Sequence, residues 1–250
     1  AQAAFAAFGL LGEGVLPMKL MAVGFDLATV WLLIAMLRRR RRPVSWAMLY
    51  AWNPLVVVET AMSGHMDPLA WFSLLLAVHW STRDRGSLAG LALAASASAK
   101  LLGGAIWPFV ARGRKAAWVT FPLALIVTTA PFMLSSGSHM AESLDTYGRL
   151  WRANPGAYAL IQEAIAALGL AGGGPAWKVD QQARLLARGA IIAAFLGLLG
   201  LLWLRRSGPE VAAASAVGAF VVLSPTVHPW YIAWVAVFLP LRPDRAWLLL

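Results

Sequence analysis

The sequence contains no cysteine, which excludes disulfides, thiolate metal sites and cysteine nucleophiles. It is also poor in charge: 13% of its 250 residues are Asp, Glu, Lys or Arg, whereas about 25% is usual in soluble domains. Acidic residues are scarcer than basic ones, with 11 Asp and Glu against 21 Lys and Arg. No internal repeat, low-complexity linker or glycine-rich nucleotide-binding loop is visible. These absences leave a single domain without cysteine chemistry and without a visible nucleotide site.

Apolar residues make up 60% of the chain, compared with about 45–50% in soluble proteins. A chain of this length cannot bury so much apolar surface within itself, so lipid is the expected solvent. The net charge of +10 is also a feature of nucleic-acid-binding proteins. However, the basic residues form short clusters between apolar runs, as in the cytoplasmic loops of membrane proteins. We therefore predict an all-α, multi-pass membrane protein that binds the lipid bilayer and no nucleic acid.

The basic clusters also predict the orientation in the membrane. The first is an unbroken run of five arginines that follows an apolar segment. Positively charged loops favour the cytoplasmic side. One orientation places every basic cluster there, namely residues 38–42, 83–85, 112–115, 205–206 and 242–245. The same orientation places a second set of polar residues on the outer side, namely His65, Asp67, His139, Asp145 and His228.

Several apolar segments are too short or too irregular for a simple crossing. Residues 87–109 have a basic loop at each end, so we predict a re-entrant or broken hairpin with its break at Gly103, Gly104 and Pro108. Lys100 would lie near its tip, at membrane depth, where irregular backbone is tolerated only against protein or a wet cavity. Residues 135–182 are predicted to form a polar outer segment with one short interfacial helix. Short helices with polar tips predict a cavity open to the outer face.

The ends of the sequence lie inside apolar stretches, and no initiator Met is present. We therefore treat residues 1–250 as one transmembrane domain and expect it to be a fragment of a longer protein.

One polar tip combines Glu59, His65 and Asp67. A charge inside an apolar helix costs about 2.5–3.5 kcal/mol, so Glu59 is either functional or the structural partner of an Arg, a Lys or a Trp N–H. Asp67 either caps the helix that begins near Pro68 or takes part in chemistry, and capping would not explain His65. The three side chains suit an acid/base pair, sugar hydroxyls or a metal. A metal is least favoured, because so few ligands without a second set are a weak signal.

The remaining candidates lie on three other segments. Lys100 within an apolar hairpin either snorkels to the surface or binds an anion such as phosphate. His228 and Tyr231 belong to a second tip, which is either an interfacial aromatic belt or part of the site; a belt explains the aromatic residues better than the histidine. Arg149 and Arg152 either contact a phosphate or are solvated.

Taken together, four motifs resemble the GT-C membrane glycosyltransferases. They are Asn53-Pro54 with Glu59, Gly64-His65-Met66-Asp67, the Gly/Ala-rich stretch that ends in Lys100 with Pro108 beyond it, and His228-Pro229-Trp230-Tyr231. The nearest resemblance is to bacterial polyprenyl-phosphate-mannose-dependent mannosyltransferases, which are glycosyltransferase family 87-like. It extends along most of the chain, although its motifs are short and do not specify the sugar.

This resemblance implies a GT-C-type bundle that transfers a sugar, mannose first, from a polyprenyl-phosphate donor to a hydroxyl of a glycan or glycolipid acceptor. The reaction would occur on the extracytoplasmic side of the inner (plasma) membrane, in the cell envelope, with no required cofactor and no indicated metal. The family's main catalytic carboxylate lies in a first outer loop ahead of Ala1, so Asp67 is the candidate catalytic residue within this chain. Substrate-binding roles are expected for Glu59, His65, Lys100, His228, Tyr231 and Arg149.

The main alternative is a transporter or flippase of a lipid-linked sugar, which would also use broken helices and intramembrane charges. A transporter often has related halves and charges near the middle of the membrane. This sequence shows no related halves, and its polar residues cluster at the predicted outer tips. A structural membrane subunit is the third alternative.

Overall fold

Helices form nearly all the regular structure of the chain. The computed structural model describes residues 14–153, 156–244 and 246–247, without the side chains of residues 136, 138, 140, 149 and 150. The α-helices are α1 (Val15–Arg39), α2 (Met48–Ala51), α3 (Pro54–Val57), α4 (Asp67–Ser81), α5 (Gly86–Ala99), α6 (Trp107–Ala111), α7 (Lys115–Leu150), α8 (Gly156–Ala167), α9 (Ala176–Leu204), α10 (Pro209–Leu223) and α11 (Pro229–Ala236). The described residues contain no β-strand. The predicted all-α class is confirmed.

Three helical segments are long and apolar enough to cross a membrane: Val15–Arg39, Lys115–Ser135 and Ala176–Leu204. Shorter apolar helices accompany them, as the sequence predicted. The sequence predicts that a helix ends where the polar outer segment begins, at residue 135. This prediction is wrong, because α7 continues to Leu150. No proline occurs between Pro131 and the end of that helix, so the polar residues there extend it rather than end it. The predicted short helix within this segment is confirmed as α8, and its place at the membrane interface stays a prediction.

Contacts between loops bring the basic clusters to one end of the bundle. Arg40 forms a bidentate ion pair with Glu210 at the start of α10, and this hydrogen bond raises the pKa of Arg40. At the same end, Arg42 donates to the carbonyl of Leu241 at 2.7 Å. The other two contacts join Arg112 to the Trp203 carbonyl at 3.0 Å and Arg114 to Asp84 at 3.1 Å. These contacts confirm that the clusters share one end of the bundle, and the side of the membrane that this end faces stays a prediction.

The segment that contains Lys100 enters the bundle and returns to the same end. Helix α5 ends at Ala99, Lys100 is extended, and a 3-10 helix (Leu101–Ile106) leads back into α6. The return is tightly packed, because a Cβ on Gly103 would lie 2.4 Å from the Ser96 hydroxyl oxygen. The Ser81 hydroxyl, at the end of α4, donates to the Val110 carbonyl of α6 at 3.2 Å. A Cβ on Gly86, at the start of α5, would lie 3.1 Å from the Arg114 Cβ atom, so the two ends of the hairpin lie close together. The predicted broken hairpin is confirmed, with Lys100 at its tip. The break itself lies at Lys100, ahead of the predicted Gly103 and Gly104, and Pro108 lies in the first turn of α6.

The bundle core lies between α4, α5, α10 and α11. Trp71 of α4 is 1% exposed, and its ring meets those of Tyr50 and Trp234 edge-on, at centroid distances of 6.2 Å and 6.3 Å. Helix α5 packs closely on α7, where a Cβ on Gly90 would lie 2.0 Å from the Thr120 hydroxyl oxygen. Small residues allow such close backbone approach between helices in lipid. This packing fixes Asp67, at the start of α4, relative to Lys100, at the end of α5.

Candidate active site

Glu59 lies on a π-helical turn (Val58–Met62) that directly continues α3. The N–H of Ser63 donates to the Val58 carbonyl at 2.9 Å, which is the five-residue spacing of a π-turn. Asn53 begins this segment, because its side-chain oxygen accepts from Leu55 N at 3.0 Å and Pro54 suits the first turn. The wider turn aims the Glu59 carboxylate at His65, whose Nε2 lies 3.3 Å from Glu59 Oε2. Such turns occur often at functional sites.

The loop after this turn depends on a glycine. Gly64 has φ of +74°, a left-handed conformation that glycine adopts without strain. Lys19 of α1 covers it, because a Cβ at Gly64 would lie 3.0 Å from the Lys19 Cγ atom. The Lys19 ammonium then donates to the Met62 carbonyl at 2.6 Å. Helix α1 therefore holds the loop that carries His65.

Asp67 and Lys100 form the central ion pair of the site. The Asp67 side chain is 5% exposed, and its Oδ1 lies 3.3 Å from the Lys100 ammonium. The same oxygen accepts a hydrogen bond of 2.8 Å from the indole N–H of Trp234. Asp67 makes no side-chain capping bond to α4 within the described residues, so the capping alternative is wrong. A buried carboxylate needs such partners to stay charged.

Two tyrosines complete the surroundings of Lys100. Its ammonium lies 4.7 Å from the centre of the Tyr231 ring, a cation–π distance. The Tyr231 hydroxyl lies 3.0 Å from that of Tyr147 on α7. Burial and this hydrogen bond raise the pKa of Tyr147, so its hydroxyl stays protonated across the physiological range. Lys100 thus contacts α4 and α11 directly and α7 through Tyr231.

The two predicted tips meet through a stack of three rings. The His65 and Trp230 ring centroids are 4.0 Å apart, and those of His228 and Trp230 are 4.4 Å apart with an interplanar angle of 10°. Two imidazoles cannot both fit over one face of an indole at these distances, so they occupy its two faces. This stack fixes the loop before α4 against the start of α11.

An apolar cavity of about 610 Å³ opens beside Lys100. Its walls come from the broken hairpin and from α7, α9, α10 and α11, with Leu102, Ile192, Phe195 and Phe220 among the lining residues. Lys100, Tyr147 and Tyr231 supply polar groups to the same cavity. An apolar space with a few polar groups at one place is typical of a ligand site.

The structure therefore brings together five of the predicted substrate-binding residues and Asp67. These residues lie in two connected contact networks, at the end of the bundle opposite the arginine-rich loops. The five substrate-binding residues are Glu59, His65, Lys100, His228 and Tyr231. The side chain of Arg149 lies outside the described residues, so its predicted role stays a prediction. Among the described residues, no group of three or more His, Asp or Glu is arranged to hold a metal ion.

Two functional candidates were missed in the sequence. Trp234 follows Tyr231 by three residues, a spacing that places both on one face of a helix, so the tip motif could have been extended to it. Tyr147 lies in a segment of mixed polarity, and its contact with Tyr231 depends on how α7 packs against α11. No local pattern in the sequence indicates that contact.

Comparison with known proteins gives one match. The family model of glycosyltransferase family 87 matches residues 2–242, which is nearly the whole chain. No curated protein matches. No solved structure matches either. A family match over this length, on an all-α bundle with candidate membrane spans, decides the family. The chain belongs to glycosyltransferase family 87.

Proposed function

We propose that the chain transfers mannose from a polyprenyl-phosphate donor to an acceptor hydroxyl at the outer face of the membrane. The observation that carries this proposal is the position of Lys100, whose ammonium lies where the apolar cavity meets the polar cluster. A polyprenyl-phosphate sugar has the same two parts, an apolar chain joined to an anionic head. The cavity would hold prenyl units and Lys100 the phosphate.

Lys100 is well held for this role. Asp67 and the Tyr231 ring fix the ammonium from two sides, and the lysine side chain remains 34% exposed. A phosphate oxygen can therefore approach a cation that is already oriented. Charge-assisted hydrogen bonds of this kind are about twice as strong as neutral ones.

The proposed reaction is a substitution at the anomeric carbon. The acceptor oxygen forms a bond to that carbon, while the bond from the carbon to the phosphate oxygen breaks and its electron pair leaves with the lipid phosphate. Lys100 stabilises the charge that develops on the leaving group. A carboxylate accepts the hydroxyl proton. Asp67 is the first candidate in this chain, either as that base or as the group that holds Lys100 against the phosphate.

The arginine-rich end supports the membrane orientation in this proposal. Positive loops favour the cytoplasm. One end of the bundle holds the contacts of Arg40, Arg42, Arg112 and Arg114. The cluster of polar side chains around Lys100 lies at the other end. We propose that the cluster faces outward, in the inner membrane, where lipid-linked donors and glycan or glycolipid acceptors would reach it. Family membership favours this transferase over the transporter alternative.

A donor-selectivity assay tests the proposal. The purified protein is given a membrane acceptor fraction and radiolabelled mannose, either as polyprenyl-phosphate mannose or as a nucleotide sugar. We expect transfer from the lipid donor only. We also expect full activity in EDTA, since Lys100 neutralises the leaving phosphate without a metal. Transfer from the nucleotide sugar, or loss of activity on chelation that Mg²⁺ restores, would contradict the proposal.

A further inference from the structure

A further cluster of basic side chains, separate from the five basic loops, lies around α8 and α9 and outside the site described above. Tyr158, on the first turn of α8, is 0% exposed. The guanidinium carbons of Arg152 and Arg188 lie 5.6 Å and 5.7 Å from the centre of its ring. Three segments of the chain therefore converge on one tyrosine: the extended residues after α7, α8 itself and the middle of α9.

The Tyr158 hydroxyl is buried without a hydrogen-bond partner in the part of the chain that the structure describes. The same holds for the neighbouring Gln162 Oε1 and Arg184 Nε atoms. Folding removes such an atom from water without giving it a protein partner, which is unfavourable, so these atoms require an explanation. Their common location indicates a place for a ligand rather than three unrelated defects.

The charge of the cluster favours an anion. Its arginines are Arg152, Arg184 and Arg188, and Asp180 pairs with Arg184 at 2.6 Å. Gln162 also donates to Asp180, at 2.8 Å. These five side chains together carry three guanidinium groups and one carboxylate. Because guanidinium groups bind phosphate with several parallel hydrogen bonds, a phosphate fits the cluster better than a single-point anion.

The place of the cluster indicates where the phosphate comes from. Helix α8 exposes Leu160, and the turn after it exposes Leu168 and Leu170, at 64–73% each. Exposed leucines beside a basic cluster are typical of a surface helix at the membrane interface. Arg152 is exposed and lies in non-helical backbone, so its side chain can rotate to admit a headgroup.

We propose that Arg152, Arg188 and the Tyr158 hydroxyl form a binding site for the phosphate of a membrane lipid, separate from the Lys100 site. Ile191 divides the two sites, because it lines the Lys100 cavity and also packs against Tyr158. The segment that carries Arg152 is tied to the His228 tip, since Val227 N donates to the Ala153 carbonyl at 2.7 Å. A lipid bound here would lie beside the active site and stabilise its outer wall.

Fluorine NMR provides a test that does not depend on sugar transfer. The chain has four tyrosines, so incorporation of 3-fluorotyrosine gives few signals, and Tyr158→Phe assigns the one from Tyr158. The full protein in detergent is titrated with phosphatidylglycerol, with diacylglycerol as the lipid without phosphate, and with inorganic phosphate. We expect phosphatidylglycerol to shift the Tyr158 signal and diacylglycerol to leave it unchanged. A shift with inorganic phosphate as well would mean that the phosphate group alone is recognised, and a shift with the lipid only would assign the lipid as ligand.

Matched variants test the arginines. In Arg152→Gln/Arg188→Gln the titration should require about 10-fold more phosphatidylglycerol or more, because two charge-assisted contacts are lost. Arg83→Gln/Arg205→Gln removes two exposed arginines at the opposite end and should change the midpoint by less than about twofold. The other three tyrosine signals report folding, and Arg152→Gln alone serves if the double variant does not fold. An unshifted Tyr158 signal, an equal shift with diacylglycerol, or an unchanged midpoint in the arginine variants would overturn the proposal.

Discussion

Asp67 has the most constrained environment of the predicted site residues. One carboxylate oxygen contacts both Lys100 and Trp234, so a single side chain links α4, the hairpin tip and α11. Its sequence position, next to Pro68, suggested helix capping as the alternative. The burial of its side chain and its two partners show instead that it pairs with Lys100. Substitution tests its role in catalysis.

Substitution of Asp67 by Asn separates charge from shape. The amide can still accept from Trp234, so the midpoint of thermal unfolding should change little. Loss of the negative charge should reduce the rate of mannose transfer by about 100-fold. A loss of this size is expected for a group that acts as the general base or that orients the base. Asp84→Asn is the control, because Asp84 also forms an ion pair, with Arg114, but its side chain is 89% exposed at the opposite end of the bundle. Unchanged transfer with Asp67→Asn would remove Asp67 from the mechanism.

At the scale of elements, the breaks between helices position the site. Glu59 lies on a π-turn, His65 follows a left-handed glycine, Lys100 lies between α5 and a 3-10 helix, and His228 precedes α11. Regular helices would have placed these polar side chains against lipid or core. Each break instead directs a polar group toward the others, which satisfies the need for partners in a membrane.

The Gly64 loop allows a direct test of this idea. Gly64→Ala forces a side chain into a left-handed backbone and against Lys19, so we expect a loss of about 1–3 kcal/mol in stability. Transfer activity should also fall, because His65 would no longer stack on Trp230. Gly197→Ala, in α9, is the control: a Cβ on this glycine would point into open space, and alanine favours a helix. Equal stability of the two variants would show that the loop tolerates other conformations.

The sequence predicted the breaks better than the contacts that follow from them. Glycine, proline and the flanking basic loops predicted the hairpin around Lys100, and apolar composition predicted the helices. The π-turn at Glu59 was not predicted, because its residues (Val-Glu-Thr-Ala-Met) are compatible with an ordinary helix. The end of α7 was not predicted, because the polar residues after Leu134 are compatible with a loop as well as with a helix. The contact between Asp67 and Trp234 joins residues 167 positions apart, and only tertiary packing determines it.

At the scale of the whole molecule, the arginine-rich loops and the candidate site lie at opposite ends of the bundle. Four arginine contacts close one end. The Glu59–His65 and Asp67–Lys100 pairs and the stacked rings lie at the other. The positive-inside rule connects this division to the membrane. The absence of cysteine from the sequence makes the resulting topology easy to measure, because an introduced cysteine has no background within these residues.

Cysteine labelling tests the orientation. Ser63→Cys, in the exposed loop before Gly64, should react with a membrane-impermeant maleimide in intact cells, because we place that loop outside. Ser207→Cys, between α9 and α10, should react only after the membrane is permeabilised. The permeabilised sample also shows that Ser207→Cys is accessible in itself. Labelling of Ser207→Cys in sealed cells, with Ser63→Cys protected, would reverse the proposed orientation.

The most direct measurement of the proposed function is the affinity for polyprenyl phosphate, which carries the donor's chain and phosphate but no sugar. A hydrogen bond to a charged group contributes about 1.5–3 kcal/mol, so Lys100→Ala should raise the Kd by about 10-fold or more. Lys115→Ala removes an exposed lysine at the opposite end and should leave the Kd within about twofold of the unsubstituted protein. Polyprenol, which lacks the phosphate, should bind both variants equally. An unchanged Kd for polyprenyl phosphate in a folded Lys100→Ala protein would contradict the assignment of Lys100 as the phosphate-binding residue.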